Sequence, residues 1–205
     1  MTKSQKKQFE IYKENLLDWN TRINLTAITD NEGIWHKHFA DSLTLLPLLP
    51  DLPFRMIDIG CGAGFPGLPV KIMRPDISLT LLDSTRKKIC FLEDTVLRLG
   101  LEDVRCIHAR AEDLIKEEKH RGGYRVCSAR AVARLKLLCK WCLPFLAPGG
   151  LFLAMKGPSV EDEIKEAMPV IRKMNSEVLD IKFMEIMQGM VHTVVVLCYN
   201  GKNKE

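Results

Sequence analysis

The chain has 205 residues, of which 46% are apolar and 27% are charged, and this composition excludes an intrinsically disordered protein. The length allows one domain with a complete hydrophobic core and is short for two full domains. The 30 basic and 26 acidic side chains leave a formal net charge of +4, which is mildly basic and identifies no partner by itself.

The first ten residues are lysine-rich and mainly polar, and no later apolar run has the length needed to cross a bilayer. We therefore expect a cytoplasmic protein with no membrane association. Apolar side chains then recur at helical spacing from Phe9 to Ile23 and again from Trp35 to Leu46. Residues 24–30, between these patterns, favour turns and helix caps. The sequence thus predicts an N-terminal helical extension over residues 1–50.

Beyond Pro50 and Pro53, short strand-like runs alternate with helical patterns. The predicted strands are residues 55–59, 78–82, 104–107, 125–128, 151–155, 178–186 and 193–199. The predicted helices lie near residues 68–73, 86–99, 133–146 and 160–174, with a short one from Ala111. This alternation indicates a largely parallel sheet, because parallel strands require crossover connections. The last two strands are joined through Gln188-Gly189-Met190 and are expected to form an antiparallel hairpin.

A glycine-rich turn follows the first predicted strand, with glycines at Gly60, Gly62 and Gly64. Glycines allow a sharp turn and let the backbone approach a ligand closely. The spacing from Gly62 to Gly67 also fits the GxGxxG pattern of dinucleotide-binding folds. The turn alone is therefore compatible with NAD as well as with S-adenosylmethionine.

Residues around this turn favour S-adenosylmethionine. Asp58, at the end of the first strand, would repel a pyrophosphate but suits the cationic amino group of a methionine moiety, directly or through a water. Pro66 removes an N–H donor from a turn that should hold phosphate. Asp83, at the end of the second strand, can accept the ribose hydroxyls of either ligand. Ala111 and Glu112, after the third strand, could contact adenine, although Glu112 equally fits an acid at a helix N-terminus.

Methyltransferases usually place the groups that handle the acceptor after the fourth strand, here residues 127–134. This stretch lacks the Asn/Asp-Pro-Pro-aromatic motif of enzymes that methylate exocyclic amines, and it lacks the Pro-Cys pair that attacks base C5. Neither a general base nor a nucleophile is evident, so no catalytic residue is predicted. Guanine N7 carries a free lone pair and needs no deprotonation, which makes catalysis by positioning alone sufficient.

Basic side chains cluster in three places, which suits a polyanionic partner but is equally compatible with solvated surface. The clusters are Lys3, Lys6 and Lys7, then Arg86, Lys87 and Lys88, then Arg130, Arg134 and Lys136. His36 and His38 are two positions apart on a predicted helix and face different sides, so no metal site is predicted.

Several segments in this order resemble the bacterial ribosomal RNA small subunit methyltransferase G family, also called glucose-inhibited division protein B. They are Asn24-Leu-Thr-Ala-Ile28, His38-Phe-Ala-Asp-Ser-Leu43, the glycine turn through Gly67, Leu82-Asp-Ser84, Ser128-Ala-Arg-Ala-Val-Ala133 and Ala154-Met-Lys-Gly157. The resemblance extends from about residue 9 to 199. It agrees with a Rossmann-like class I methyltransferase sheet of seven strands with a terminal antiparallel hairpin, formed by residues 51–205 as a single compact domain.

The resemblance implies methyl transfer from S-adenosylmethionine to N7 of a guanine in the 530 loop of 16S ribosomal RNA, in the small ribosomal subunit. The family pattern and the turn together predict a cofactor site of Asp58, Gly60, Gly62, Gly64, Phe65, Asp83, Ser84, Thr85, Ala111, Glu112 and Arg130. Basic positions predicted to bind RNA are Lys87, Arg110, Arg134 and Lys156, and the acceptor would be handled by Arg130, Arg134 and Lys156.

Two positions depart from the usual family pattern. Ala129 lacks a hydroxyl that members often have at this position, and Thr85 replaces a more usual leucine. We expect a monomer. The alternatives are a small-molecule methyltransferase on the same fold and an RNA-binding assembly protein that has lost turnover.

Overall fold

The structure is a computed structural model that describes residues 1–130, 132–187 and 190–201. It opens with helix α1 (Lys3–Asn20), which begins at a capping box formed by Thr2 and Gln5. The second helical section comprises α2 (Asn31–Ile34), a π-helical stretch (Trp35–Ala40), α3 (Asp41–Leu43) and a 3-10 turn (Leu46–Leu48). Both predicted N-terminal helical sections are present, and the first starts earlier than predicted because the capping box lies at Thr2.

Seven strands form a single sheet: β1 (Arg55–Ile59), β2 (Ser78–Asp83), β3 (Val104–His108), β4 (Tyr124–Arg130), β5 (Leu146–Lys156), β6 (Ser176–Met187) and β7 (Met190–Tyr199). Their order is β3-β2-β1-β4-β5-β7-β6. The first five strands in this order are parallel to one another, and β7 is antiparallel to its neighbours β5 and β6. The predicted fold class is confirmed. The predicted hairpin turn at Gln188 and Gly189 lies outside the described residues.

The crossover helices are α4 (Gly67–Met73), α5 (Arg86–Leu99), α6 (Ala111–Leu114), α7 (Leu135–Cys142) and α8 (Glu161–Lys173). Helix α5 has its predicted bounds and ends at Gly100, whose φ is 60°. The predicted helix over residues 133–146 was too long. Pro144 cannot donate a backbone hydrogen bond, so the chain continues as a 3-10 turn (Leu143–Phe145), and Leu146 already begins β5.

Hydrophobic side chains pack in two clusters, one on each face of the sheet. One cluster joins β4 and β5 to α7 and α8. The other joins β1 and β2 to α4, α5 and the N-terminal section, whose Phe9, Tyr12 and Phe39 are at most 1% exposed. Residues 1–50 are therefore packed against the same face as the helix that follows the glycine turn. Among the described residues, no helix combines the length and apolar character that a membrane span requires.

Candidate functional site

The glycine turn after β1 depends on three glycines with positive φ, of 67°, 58° and 92° at Gly60, Gly62 and Gly64. A Cβ atom at position 64 would lie 2.6 Å from Tyr12 Oη, and one at position 60 would lie 2.7 Å from a methyl group of Val132. A Cβ atom at position 62 would meet nothing closer than a carbonyl oxygen at 4.0 Å. Gly60 and Gly64 are thus required by packing, whereas Gly62 faces open space.

Asp83 joins this turn to the loop after β2. Its Oδ2 atom accepts a hydrogen bond from the amide of Gly62 at 3.0 Å, and its Oδ1 atom accepts one from the amide of Thr85 at 2.8 Å. Lys88 Nζ lies 3.9 Å from Oδ2. A carboxylate has about four acceptor positions, so Asp83 can still accept hydroxyl hydrogen bonds from a ligand.

A groove of about 410 Å³ lies above the glycine turn, and we call it the glycine groove. The predicted cofactor residues that line it are Gly60, Gly62, Phe65, Asp83, Ser84, Thr85 and Arg130. It is also lined by residues that were not predicted, namely Leu25, His38, Cys61, Ala63, Lys88 and Val132. Most of the predicted cofactor site is therefore brought together. The open space at Gly62 and the carboxylate of Asp83 suit an adenosyl ligand that enters close to the backbone.

Asp58 lies beneath the turn and has no exposed surface. Its Oδ2 atom accepts a hydrogen bond from the amide of Gly67 at 2.9 Å, and its Oδ1 atom accepts one from Ser128 Oγ at 2.7 Å. Burial raises the pKa of Asp58 to about 6, against the lowering effect of these two hydrogen bonds and of the Arg130 charge. In this structure the carboxylate fixes the turn to β4 from below, and it does not line the groove.

The raised pKa of the buried Asp58 carboxyl makes the free energy of unfolding depend on pH. Because the folded pKa of Asp58 lies above the model-compound value of 3.8, the folded state holds this proton more tightly, and its contribution to stability falls as pH rises from about 4 to about 6. Asp58→Asn has no such titration. Between pH 4 and pH 7 we expect the wild type to lose about 2 kcal/mol of its free energy of unfolding relative to this variant. Urea denaturation at both pH values measures it, and parallel pH profiles would contradict it.

Arg130, at the end of β4, is held by the N-terminal helical section. Its Nη1 atom donates to Asp41 Oδ2 at 2.7 Å, and its guanidinium lies 4.9 Å from the ring centre of Phe65. Asp41 Oδ1 in turn lies 2.5 Å from Nδ1 of His192 on β7. Burial opposes ionisation of Asp41, but the hydrogen bonds and charges of His192 and Arg130 hold its pKa below the usual value. Three distant segments thus fix one guanidinium at the groove.

His38 packs on Phe65 next to Arg130, whose Nη2 atom lies 3.3 Å from Nδ1 of His38. The two rings are stacked, with centres 4.5 Å apart and planes inclined by 16°. Burial, together with the nearby charge of Arg130, lowers the pKa of His38 to about 4. The imidazole is therefore neutral at pH 7, and it packs as a flat ring that donates or accepts a hydrogen bond without adding charge to the groove.

A second depression, of about 470 Å³, adjoins the glycine groove, and we call it the lysine cleft. It is lined by Asp41, Arg130, Met155, Lys156, Gly157, Pro158, Ser159, Glu163 and His192. Arg130 belongs to the linings of both depressions. Two of the residues predicted to handle the acceptor, Arg130 and Lys156, thus share one cleft beside the predicted cofactor site.

Other predicted residues lie outside both depressions. Lys87 and Arg110 are exposed, and Arg134 is exposed and pairs with Glu166 at 2.8 Å. Ala111 and Glu112 form the first turn of α6, where Glu112 accepts a hydrogen bond from the indole of Trp141 at 2.6 Å. Gly64 packs against α1 and α4.

Sequence reasoning missed Asp41, His192 and Glu163 as site residues and assigned His38 no role at the cofactor. A signal existed for two of them, because His38 and Asp41 fall in one of the segments on which the family resemblance rests. Nothing in the sequence around His192 or Glu163 indicated a site.

Comparisons with known proteins agree with this arrangement. The sequence model of a family described as rRNA small subunit methyltransferase G matches residues 5–191. Proteins named ribosomal RNA small subunit methyltransferase G from Clostridium botulinum (strain Loch Maree / Type A3) and Desulforamulus reducens are 45% and 43% identical, over 93% and 91% of this chain and 80% and 78% of theirs. A SAM dependent methyltransferase from Aquifex aeolicus has a similar structure, with a TM-score of 0.60, 14% identity, and coverage of 83% of this chain and 94% of that one. At this identity the structural likeness shows the fold alone.

Proposed function

Because the chain belongs to the rRNA small subunit methyltransferase G family, we propose that it transfers a methyl group from S-adenosylmethionine to N7 of a guanine in the 530 loop of 16S ribosomal RNA. The observation that carries this proposal is the position of Arg130, which lines both the glycine groove and the lysine cleft. A donor in the groove and a base in the cleft would then meet at this side chain.

The donor would be oriented by the turn and by Asp83. The open backbone at Gly62 lets an adenosyl group approach, and Asp83 has free acceptor positions for ribose hydroxyls. The cofactor supplies an electrophilic methyl group on a positively charged sulfur. Transfer forms the bond from N7 to the methyl carbon as the bond from sulfur to that carbon breaks, and no proton leaves the base.

The ionisable groups near Arg130 agree with a mechanism that needs no base. Among the described residues, the carboxylate that lines the glycine groove, Asp83, is bonded to two amides, and Asp41, which lines the lysine cleft, is paired with Arg130. His38 is neutral and stacked on Phe65. Such a site favours an acceptor atom that already has a free lone pair, as guanine N7 does, and it accelerates the reaction by positioning.

RNA would be bound by exposed cations around the two depressions, with Lys87, Arg110 and Arg134 as the proposed contacts. We propose a monomer that acts in the cytoplasm on 16S ribosomal RNA in the small ribosomal subunit. Phosphate contacts release counterions, so kcat/KM should fall steeply as salt rises. A small-molecule methyltransferase would lack that dependence, which separates the two functions.

The test is incubation of the purified protein with small ribosomal subunits that lack this modification and with methyl-labelled S-adenosylmethionine. We expect label in 16S RNA at N7 of one guanosine, and none in subunits that are already modified there. Label at another atom or in another RNA, or binding of the cofactor with no turnover on ribosomal substrates, would contradict the proposal.

A further inference from the structure

Glu163, on α8, presents a fixed carboxylate to the lysine cleft. Its Oε2 atom accepts hydrogen bonds from the amide of Leu135 at 2.7 Å and from Lys156 Nζ at 2.8 Å. Within the part of the chain that the structure describes, its Oε1 atom has no hydrogen-bond partner. The side chain is 23% exposed, so this second oxygen is available to a ligand while the first is held by the protein.

Lys156 is fixed beside it. Its ammonium group donates to the carbonyl oxygen of Ala133 at 2.9 Å and to Glu163, and only 10% of the side chain is exposed. An ammonium group has three N–H donors, so one remains for a ligand. One wall of the cleft therefore carries a hydrogen-bond donor next to a negatively charged acceptor, and both are held in place by bonds to the protein.

This pair matches one edge of guanine. The Watson–Crick edge of guanine has an acceptor, O6, followed by two donors, N1–H and the 2-amino group. Adenine has the opposite order, with an amino donor followed by an acceptor at N1. The partly buried polar groups of Lys156 and Glu163 would be satisfied by guanine and would face a like group, donor to donor or acceptor to acceptor, in adenine, which favours discrimination between the two purines.

The positions of Lys156 and Glu163 also fit the orientation in which the base would present N7 to the cofactor. In guanine, N7 lies on the Hoogsteen edge, which meets the Watson–Crick edge at O6, so N1–H points sideways relative to N7 and the 2-amino group points away from it. A base whose N7 faces the glycine groove at Arg130 therefore presents its Watson–Crick edge to another wall of the site. Lys156 and Glu163 line the lysine cleft and are absent from the lining of the glycine groove.

We propose that Lys156 and Glu163 select the acceptor base, with Lys156 donating to guanine O6 and Glu163 Oε1 accepting from N1–H and the 2-amino group. The inference rests on the proposed function, because it assumes that the base in the cleft is the methylated guanine. Beyond that function, the inference assigns to Lys156 and Glu163 the choice of guanine over adenine.

The test uses small subunits whose 16S RNA carries either guanosine or inosine, which lacks the 2-amino group, at the target nucleotide. The wild type should show a kcat/KM about tenfold or more lower on inosine than on guanosine. In Glu163→Gln the amide oxygen can keep the bonds to Lys156 and Leu135, which turns the amide NH2 group toward the cleft. This donor conflicts with guanine, so kcat/KM on guanosine should fall about 100-fold and the preference for guanosine over inosine should disappear.

Glu166→Gln is the matched control, since Glu166 lies on the same helix, pairs with Arg134 and does not line the cleft. It should keep the wild-type ratio of guanosine to inosine. Equal rates of the wild type on both substrates, or an equal loss on both in Glu163→Gln, would overturn the inference. Failure of the wild type to methylate guanosine at N7 would instead overturn the proposed function, so the two failures are distinguishable.

Discussion

Replacing Gly62 by Asp is expected to abolish binding of S-adenosylmethionine while the protein stays folded. A Cβ atom at this position would lie 4.0 Å from its nearest neighbour, a backbone carbonyl oxygen, so the turn has room for the first atom of the new side chain. The side chain would project into the glycine groove and place a second carboxylate beside Asp83, whose Oδ2 atom accepts the Gly62 amide at 3.0 Å. We expect affinity for the cofactor, measured by isothermal titration calorimetry, to fall at least about 100-fold, which corresponds to about 2.7 kcal/mol.

The chain offers a closely matched control in Gly100→Asp. Gly100 has a φ of 60°, close to the 58° of Gly62, and a Cβ atom there also meets nothing within 4 Å. It ends α5, outside both depressions. Both substitutions should therefore cost the same backbone strain of about 1–2 kcal/mol, since a non-glycine residue is forced into the left-handed region. Cofactor binding by Gly62→Asp at the affinity of Gly100→Asp would contradict the assignment of the groove.

Local signals explain which elements could be predicted from sequence. Strand β1 and helix α5 have their predicted bounds because the first lies between Pro53 and the glycine turn that starts at Gly60, and Gly100 ends the second. Strand β5 was predicted to start at residue 151, and the preceding Ala147-Pro-Gly-Gly150 is a sequence typical of a turn. The structure starts it at Leu146, which pairs with Tyr124 across an irregularity in register. That pairing is set by the neighbouring strand and has no local signal.

Site residues, like the strands, could be predicted where a local sequence signal marks them and were missed where distant contacts define their role. Gly62 and Asp83 could be predicted because Gly62 lies in the turn after β1 and Asp83 ends β2, at the edge where parallel strands end. Asp41 falls in one of the family segments, but its pairing with Arg130 and His192 could not be predicted, because Asp41 lies 89 positions before Arg130 and His192 lies 62 positions after it, and they meet only in the fold. The role of His38 was missed for a different reason. His38 lies on a π-helical stretch, so the direction of its side chain does not follow the α-helical period that was assumed for this segment.

The largest loss of turnover is expected from Arg130→Met. The substitution removes the bond to Asp41 and the contact with Phe65, and it leaves a carboxylate that is only 6% exposed with His192 as its remaining partner. The boundary between the glycine groove and the lysine cleft would then shift. Because the mechanism depends on positioning, a displacement of about 1 Å should lower kcat about 100-fold or more. Arg130→Lys should also lose most activity, since an ammonium group cannot both pair with Asp41 and lie flat on Phe65.

Arg134→Met provides the contrast. Its side chain is 66% exposed and pairs with Glu166, so its proposed role is a phosphate contact at the surface. We expect this variant to raise KM for the ribosomal subunit with little change in kcat, and to make the slope of log(kcat/KM) against log salt concentration shallower by about one. Arg130→Met should leave that slope unchanged. If Arg130→Met kept its kcat and altered only the salt dependence, Arg130 would be an RNA phosphate contact, and the junction at which donor and acceptor are proposed to meet would lie elsewhere.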